Sequence, residues 1–179
     1  MDTFKRPIWL LAFVQAVLGL VWVQAGWEKI SDAGYLSGMG KTLGAFASRN
    51  PYGWYHDFLV NVAAPNATLF GVSVEAGELL VGLGLLATAV VAVLSLPRAP
   101  ALTGSIVGTV ALAAGALMSV NFWLAAGWLS VSTAGENLLM GLIQLGFLAA
   151  ALIGLVQQAR ARRGELVVTG IAMTAATRA

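Results

Sequence analysis

Two acidic side chains lie inside one of the most apolar stretches of the chain, VSVEAGELLVGLGLL at Val72–Leu86. The stretch belongs to a run from about Thr68 to Ser95 that is long enough to cross a bilayer. An ionised carboxylate at membrane depth is costly unless it is paired, hydrated or neutral. Glu75 and Glu78 therefore need partners, and they mark this helix as the candidate functional one.

The two glutamates share one face of the predicted helix because they are three residues apart. Gly71 lies four residues before Glu75, and Gly82 lies four residues after Glu78, so the same face also carries small residues. Small residues let a second helix approach closely within a membrane. This face is predicted to point toward protein rather than toward lipid.

The composition places the chain among integral membrane proteins. Of its 179 residues, 59% are hydrophobic and 10% are charged, whereas soluble domains contain roughly 25% charged residues. Ten Lys and Arg exceed eight Asp and Glu only slightly and form no basic stripe, so no nucleic-acid partner is expected. With no cysteine and one histidine, no haem, iron–sulfur cluster or metal is expected in this chain. Redox chemistry would then need a lipid quinone or a partner subunit.

Four apolar segments predict four membrane-spanning helices, and hence an all-α bundle. Their predicted bounds are Ile8–Gly26, Thr68–Ser95, Ala101–Leu124 and Thr133–Gln157. Thr133 and Glu136 match a capping box, and Pro97–Pro100 is a predicted turn. Gln15, in the first helix, is expected to be satisfied by a neighbouring helix. The third helix has a predicted packing face of small residues at Gly104, Gly108, Ala111, Gly115 and Ser119.

The segment between the first two spans, residues 27–67, is predicted to contain a surface helix. Asn50 and Pro51 match an N-cap and a first helical residue, and apolar side chains then recur at helical spacing as far as Val62. This pattern predicts a short amphipathic helix that lies on the membrane. Tyr35–Phe46 is rich in glycine and is a weaker helix candidate.

The distribution of Lys and Arg predicts the orientation in the membrane. Seven of the ten fall on one side: Lys5, Arg6, Arg98, Arg160, Arg162, Arg163 and Arg178. The other three are Lys29, Lys41 and Arg49, in the long first loop. The positive-inside rule therefore predicts cytoplasmic termini, a basic cytoplasmic tail at residues 159–179 and an extracytoplasmic amphipathic helix.

The candidate site consists of the polar residues predicted to lie in or near the extracytoplasmic half of the helix bundle. They are Gln24, Lys29, Glu75, Glu78, Asn121, Glu136 and Asn137. Two close carboxyls in a low-dielectric setting predict a protonatable pocket, with Glu78 and Glu75 as candidate catalytic groups that donate a hydrogen bond or proton to a quinone carbonyl. Lys29, Asn121, Trp54 and Gln24 are the candidate quinone-binding residues.

Several candidate residues also have purely structural interpretations. Glu78 either serves a ligand or pairs with Lys29 or Asn121 only to hold the bundle together. The Trp54-Tyr55 pair either anchors its helix among the lipid headgroups or forms the lip of a quinone entrance. Both alternatives stay open at the level of sequence.

Several short motifs occur in a particular order along the chain. They are Trp27-Glu28-Lys29-Ile30, Tyr52-Gly53-Trp54-Tyr55, Pro65-Asn66-Ala67, Gly77-Glu78-Leu79-Leu80-Val81-Gly82-Leu83-Gly84-Leu85 and Asn121-Phe122. Their order and spacing resemble the DoxX family over about residues 8–158. The resemblance is closest to the DoxD-like branch, the membrane subunit of thiosulfate:quinone oxidoreductase.

The resemblance implies a four-helix domain at residues 1–158 in a bacterial or archaeal cytoplasmic membrane. It further implies electron transfer from thiosulfate to quinone together with a DoxA-like partner subunit. The alternative is a non-catalytic membrane anchor or accessory subunit of another redox or respiratory complex, and a homo-oligomer is compatible with both. A pure anchor has no need of a buried Glu78, whereas a proton-coupled quinone site does.

Overall fold

Helices account for nearly all of the chain. The computed structural model describes the backbone of residues 5–94 and 99–176 and the side chains of residues 10–94 and 106–160. The described residues form six α-helices: α1 (Lys5–Ser31), α2 (Tyr35–Ser48), α3 (Gly53–Phe58), α4 (Ala67–Leu94), α5 (Ala99–Ala126) and α6 (Val131–Ala176). Four segments are long and apolar enough to cross a membrane: Leu10–Ser31, Gly53–Leu94, Ile106–Ala126 and Val131–Arg160. The prediction of an all-α chain with four membrane-capable helices is confirmed.

The ends of the long helices differ from their predicted positions. α1 continues past Gly26 to Ser31, and α6 continues past Gln157 to Ala176, through most of the predicted tail. The predicted turn Pro97–Pro100 falls partly on residues 95–98, outside the described residues, and α5 already begins at Ala99.

The start of α6 shows that the capping box predicted at Thr133 is wrong. The backbone N–H of Thr133 donates to Oγ of Ser130 over 3.1 Å. Ser130 is therefore the residue that caps α6, and the helix begins at Val131, two residues earlier than predicted.

The long helices pack in the order α1, α4, α5, α6. α1 lies along α4, α4 along α5, and α5 along α6, whereas α1 and α6 do not pack along their lengths. α1 and α4 approach closely, since a Cβ on Gly82 would lie 2.7 Å from the carbonyl oxygen of Gly19. The small-residue face predicted on α4 therefore packs against protein, with Gly82 against α1 and Gly71 against Leu36 and Met39 of α2.

The helix α2 forms in a segment that the sequence predicted to be only a weak helix. It has 14 residues, and Met39, Leu43 and Ala47 are buried at intervals of four, on one face. That face packs against α4 and the turns that precede it. The prediction of a weak helix was wrong because packing of this apolar face offsets the low helix propensity of the glycines.

A helix is present in the predicted segment, but it begins two residues late and ends at Phe58 rather than near Val62. α3 starts at Gly53, and the preceding Tyr52 is its N-cap residue. Asn50 instead accepts the Tyr52 N–H at Oδ1 and donates from Nδ2 to the carbonyl oxygen of Leu124 over 2.7 Å. Asn50 therefore ties the segment to the end of α5 and is not the helix cap that was predicted.

The helical path continues from α3 into α4 through irregular turns. A π-helical turn at Leu59–Ala63 is followed by a 3-10 turn at Ala64–Asn66. Pro65 accounts for the irregularity, because proline lacks an N–H and clashes with the carbonyl four residues earlier in a regular α-helix.

The buried apolar residues form two separate clusters. The cap cluster comprises Met39, Leu43, Ala47, Tyr55, Leu59, Ala63 and Ala125. The bundle cluster comprises Leu18, Trp22, Val81, Leu85, Ala111 and Leu112. The candidate site lies where α2 and α3 cover the end of the long helices, between these two clusters.

Candidate functional site

A buried ion pair joins α1 to α4. Nζ of Lys29 lies 2.8 Å from Oε2 of Glu78 and donates a hydrogen bond of 2.9 Å to Oε1. The Glu78 side chain is 2% exposed and that of Lys29 is 27% exposed. The prediction that Glu78 faces the interior and contacts a polar group of α1 or α5 is confirmed, with Lys29 as the partner rather than Asn121.

The two oxygens of Glu78 are not equally satisfied. Nζ of Lys29 donates to Oε1 and also to the backbone carbonyl of Ala25 over 3.2 Å. Oε2 is in ionic contact with Nζ but accepts no well-directed hydrogen bond from the described residues. A buried carboxylate oxygen normally has a directed donor, so Oε2 retains the capacity to bind one.

A cavity of about 350 Å³ lies beside the ion pair. All of the long helices contribute to its wall, and α2 and α3 cover it. Its aromatic lining residues are Trp22, Tyr35, Phe46, Tyr55, Phe58, Phe70 and Phe122. Its polar lining residues are Lys29, Tyr35, Thr42, Tyr55, Glu78, Asn121, Glu136 and Asn137. Apolar walls with a few convergent polar groups are typical of small-molecule sites.

A tyrosine of α3 connects the cover of the cavity to α5. The hydroxyl of buried Tyr55 donates to Oδ1 of Asn121 over 2.8 Å. Oδ1 of Asn121 is thereby occupied, while its Nδ2 amide donates to no other described residue. Asn121 therefore offers a free donor to the cavity that it lines.

Tyr35, the first residue of α2, adds a second hydroxyl from the cover. Burial raises the pKa of this hydroxyl well above its ordinary value of 10.0, and the carboxylates of Glu78 and Glu75 raise that pKa further. Tyr35 is therefore a neutral hydrogen-bond donor throughout the physiological pH range.

Most of the predicted site residues line the cavity, namely Lys29, Glu78, Asn121, Glu136 and Asn137. Glu75 does not, although it is on the same helix: three residues of α-helix rotate a side chain by about 60° from its neighbour, enough to take Glu75 off the lining stripe of Phe70, Val74 and Glu78.

The other two predicted site residues lie outside the cavity. Gln24 lies off the α1 stripe that lines it, and its amide donates to Glu28 over 2.9 Å. Trp54 is 64% exposed and packs edge-on against Tyr55, with the ring centres 5.2 Å apart. The position of Trp54 on the cover agrees with the anchoring interpretation better than with contact to a bound ligand.

Two lining residues were not predicted from the sequence, namely Trp22 and Tyr35. Tyr35 lies in a segment that was expected to be a weak helix, and no sequence pattern singled out Trp22. Tyr55, predicted with Trp54 either to anchor the helix or to form the lip of an entrance, lines the cavity. The spacing of Trp22, Ala25 and Lys29 along α1, three and four residues apart, is the signal that would have identified this face.

A second polar network lies below the cavity. Gln144 is 0% exposed; its Oε1 accepts from Nε1 of Trp22, and its Nε2 donates to Oγ of Ser119 and to the carbonyl of Met140, both over 3.1 Å. This network holds the Trp22 indole in place as the floor of the cavity. The expectation for Gln15 is also confirmed, since its amide donates to the Leu85 carbonyl and the Thr88 hydroxyl of α4.

The described part of the chain contains no group of three or more His, Cys, Asp or Glu side chains placed to hold a metal ion. Comparison of the chain with protein-family models, curated proteins and solved structures gave no match. The functional interpretation therefore depends on the geometry of this cavity.

Proposed function

We propose that the chain is the quinone-binding membrane subunit of an oxidoreductase and that the quinone headgroup binds in the cavity beside Lys29. The observation that carries the proposal is one ion pair, Lys29–Glu78, at the wall of a cavity whose other lining residues are mostly aromatic and aliphatic, with a few polar side chains among them. A planar ring with two carbonyl oxygens matches aromatic walls and a small number of hydrogen-bond donors.

The unused hydrogen-bonding groups of the cavity fit such a headgroup. Nζ of Lys29, which donates two of its three hydrogens to Glu78 and Ala25, has one donor left for a carbonyl oxygen. Nδ2 of Asn121 is a donor for the other carbonyl oxygen, and Tyr35 supplies a further hydroxyl. Oε2 of Glu78 is the acceptor that a protonated ring oxygen would need, since it has no directed donor among the described residues.

A quinone, when bound, accepts two electrons and two protons. The Lys29 ammonium holds a proton at the position where negative charge would develop, and the Glu78 carboxylate stabilises that ammonium. Burial of Glu78 keeps bulk water from the pair, while the partly exposed Lys29 side chain connects it to the end of the bundle, where protons can be replaced.

We place the cover formed by α2 and α3 on the extracytoplasmic side, because seven of the ten Lys and Arg fall toward the opposite end. The DoxD-like resemblance motivates thiosulfate as the electron source and a DoxA-like subunit as the partner that delivers electrons. A bacterial or archaeal cytoplasmic membrane is the corresponding location.

The test uses Glu78→Gln, with Glu75→Gln as the matched control outside the cavity. Binding of a tail-free dimethoxy-methyl-benzoquinone to protein in lipid nanodiscs is measured by quenching of tryptophan fluorescence, and stability by thermal unfolding. Glu78→Gln keeps the shape and an acceptor for Lys29 but removes the charge. We expect it to weaken quinone binding strongly at nearly unchanged folding, and Glu75→Gln to change neither quantity.

The second candidate function is that of a membrane anchor or accessory subunit without a substrate. The observation that favours it is that Lys29 already has partners within the bundle, since Nζ bonds Glu78 and the Ala25 carbonyl. Under this alternative Glu78→Gln lowers thermal stability or yield, and wild-type protein gives no saturable quenching by quinone. Unchanged quinone affinity per folded Glu78→Gln molecule would reject the role of Glu78 at a quinone.

A further inference from the structure

A second space lies between α1 and α6, farther than the cavity from the cover formed by α2 and α3. This lower groove has a volume of about 470 Å³. It is lined by Leu11, Gln15, Leu112, Leu142, Ile143, Gly146, Phe147, Ala150 and Ala151. α1 and α6 do not pack along their lengths, which is why the seam has room for a groove.

The lower groove follows the cavity along α6. Met140 lines the cavity and Ile143 lines the groove, and three residues of α-helix correspond to only about 4.5 Å along its axis. The hydrogen bond between Trp22 and Gln144 lies at the boundary between the two spaces. A molecule that occupies both would pass on the outer side of this contact.

The two spaces differ sharply in chemistry. The cavity presents charged and amide groups, whereas the lower groove has a single polar side chain, Gln15, whose amide is already bonded to Leu85 and Thr88. Gly146 and Ala150 leave space in the wall of the groove because their side chains are small. The pair of spaces therefore matches an amphiphile with a polar head and one flexible hydrocarbon chain.

We propose that the lower groove binds the polyprenyl tail of the quinone whose headgroup occupies the cavity. This inference depends on the proposed function and adds to it a tail-binding site and a path from the bilayer between α1 and α6. The polar cavity directly beside an apolar groove is the reason to assign the groove to a tail attached to that head, rather than to an unconnected lipid chain.

The experiment is photolabelling of the full chain in lipid nanodiscs. The probe is a decyl-benzoquinone with a diazirine at the far end of its tail, and labelled peptides are identified by mass spectrometry. We expect label on the less exposed groove residues Leu112, Ile143 or Phe147. Excess tail-free benzoquinone should remove that label, because the head of the probe would be displaced from the cavity.

Gly146→Leu is the variant that fills the groove. A Cβ added at Gly146 meets no heavy atom within 4 Å, so the backbone there has room for a side chain that points into the groove. Gly154→Leu is the matched control, since Gly154 also has no heavy atom within 4 Å of an added Cβ and does not line the groove. Label in the groove should be lost in Gly146→Leu and retained in Gly154→Leu, while both variants still bind the tail-free quinone.

The outcomes separate the two proposals. If the tail-free quinone binds the wild type but label is spread over lipid-facing residues such as Leu80 and Leu117, the tail site is rejected and the headgroup site stands. Groove label that resists competition by the tail-free quinone, or that persists in Gly146→Leu, also rejects the tail site. If the wild type does not bind tail-free quinone at all, the proposed function fails and the tail site fails with it.

Discussion

Nε1 of Trp22 donates a hydrogen bond of 3.3 Å to Oε1 of Gln144, and this contact ties α1 to a helix with which it otherwise hardly packs. The Gln144 amide is fully used, because its Nε2 donates to Ser119 and Met140. A buried amide with every partner in place specifies one arrangement of the three helices. Trp22 thereby becomes a rigid floor for the cavity above it.

Gly115→Ala should destabilise the protein through this network. A Cβ on Gly115 would collide with Oε1 of Gln144, and a collision in a packed interior typically costs about 1–3 kcal/mol. We expect a lower thermal unfolding temperature in nanodiscs. The control is Gly146→Ala on α6, where an added Cβ meets no heavy atom within 4 Å. Equal melting temperatures for the two variants would contradict the described position of Gln144.

Removal of either partner of the ion pair should give unequal losses of stability. Lys29→Met leaves the almost wholly buried Glu78 carboxylate unpaired, which typically costs about 3–5 kcal/mol in a buried pair. Glu78→Leu should cost less, because the Lys29 ammonium is 27% exposed and can move toward water. Urea or thermal unfolding of the two variants measures the difference.

The double variant Lys29→Met, Glu78→Leu should recover most of the stability lost in Lys29→Met. Replacement of both members of a buried ion pair by apolar side chains often leaves stability unchanged. Removal of only one member leaves a buried charge unpaired and lowers stability. A double variant as unstable as the sum of the single variants would show that the two residues act independently, contrary to the ion pair described above.

Tyr55→Phe should loosen the cover. The change removes the hydrogen bond of the Tyr55 hydroxyl to Oδ1 of Asn121 and leaves the ring in place, at a cost of about 0.5–1.5 kcal/mol. Tyr52→Phe is the control, since the hydroxyl of Tyr52 bonds to no other described residue. We expect faster proteolysis in the loops around α3 for Tyr55→Phe only. Identical proteolysis rates would argue against a role for this bond in closing the cavity.

The orientation can be measured by cysteine labelling because the native chain has no cysteine. Ser48→Cys, at the exposed end of α2, should react with an impermeant maleimide added outside intact cells. Arg160→Cys, exposed near the opposite end of the long helices, should react only after the membrane is opened. Labelling of Ser48→Cys only from the cytoplasmic side would reverse the proposed topology.

The sequence by itself determined the class of the protein and the need for a partner at Glu78. Apolar runs of membrane-spanning length depend only on composition along the chain, so the four long helices were predictable. The cost of an unpaired carboxylate in hydrocarbon is equally local, so a protein-facing Glu78 followed from its position alone. The glycines around Glu78 predicted that another helix packs closely there, but they did not identify that helix.

Only the tertiary structure decided which side chains meet. Hydropathy reports removal from water, and it does not distinguish contact with lipid from contact with a particular helix, so Lys29 and Asn121 were equal candidates for Glu78. Glu75 and Gln24 have the right chemistry and depth, but their angular positions on α4 and α1 keep them out of the cavity. α2 covers the cavity because its buried face packs against α4, and helix propensity did not predict this packing. The pairing of α1 with α4, and its separation from α6, created the cavity and the groove beneath it.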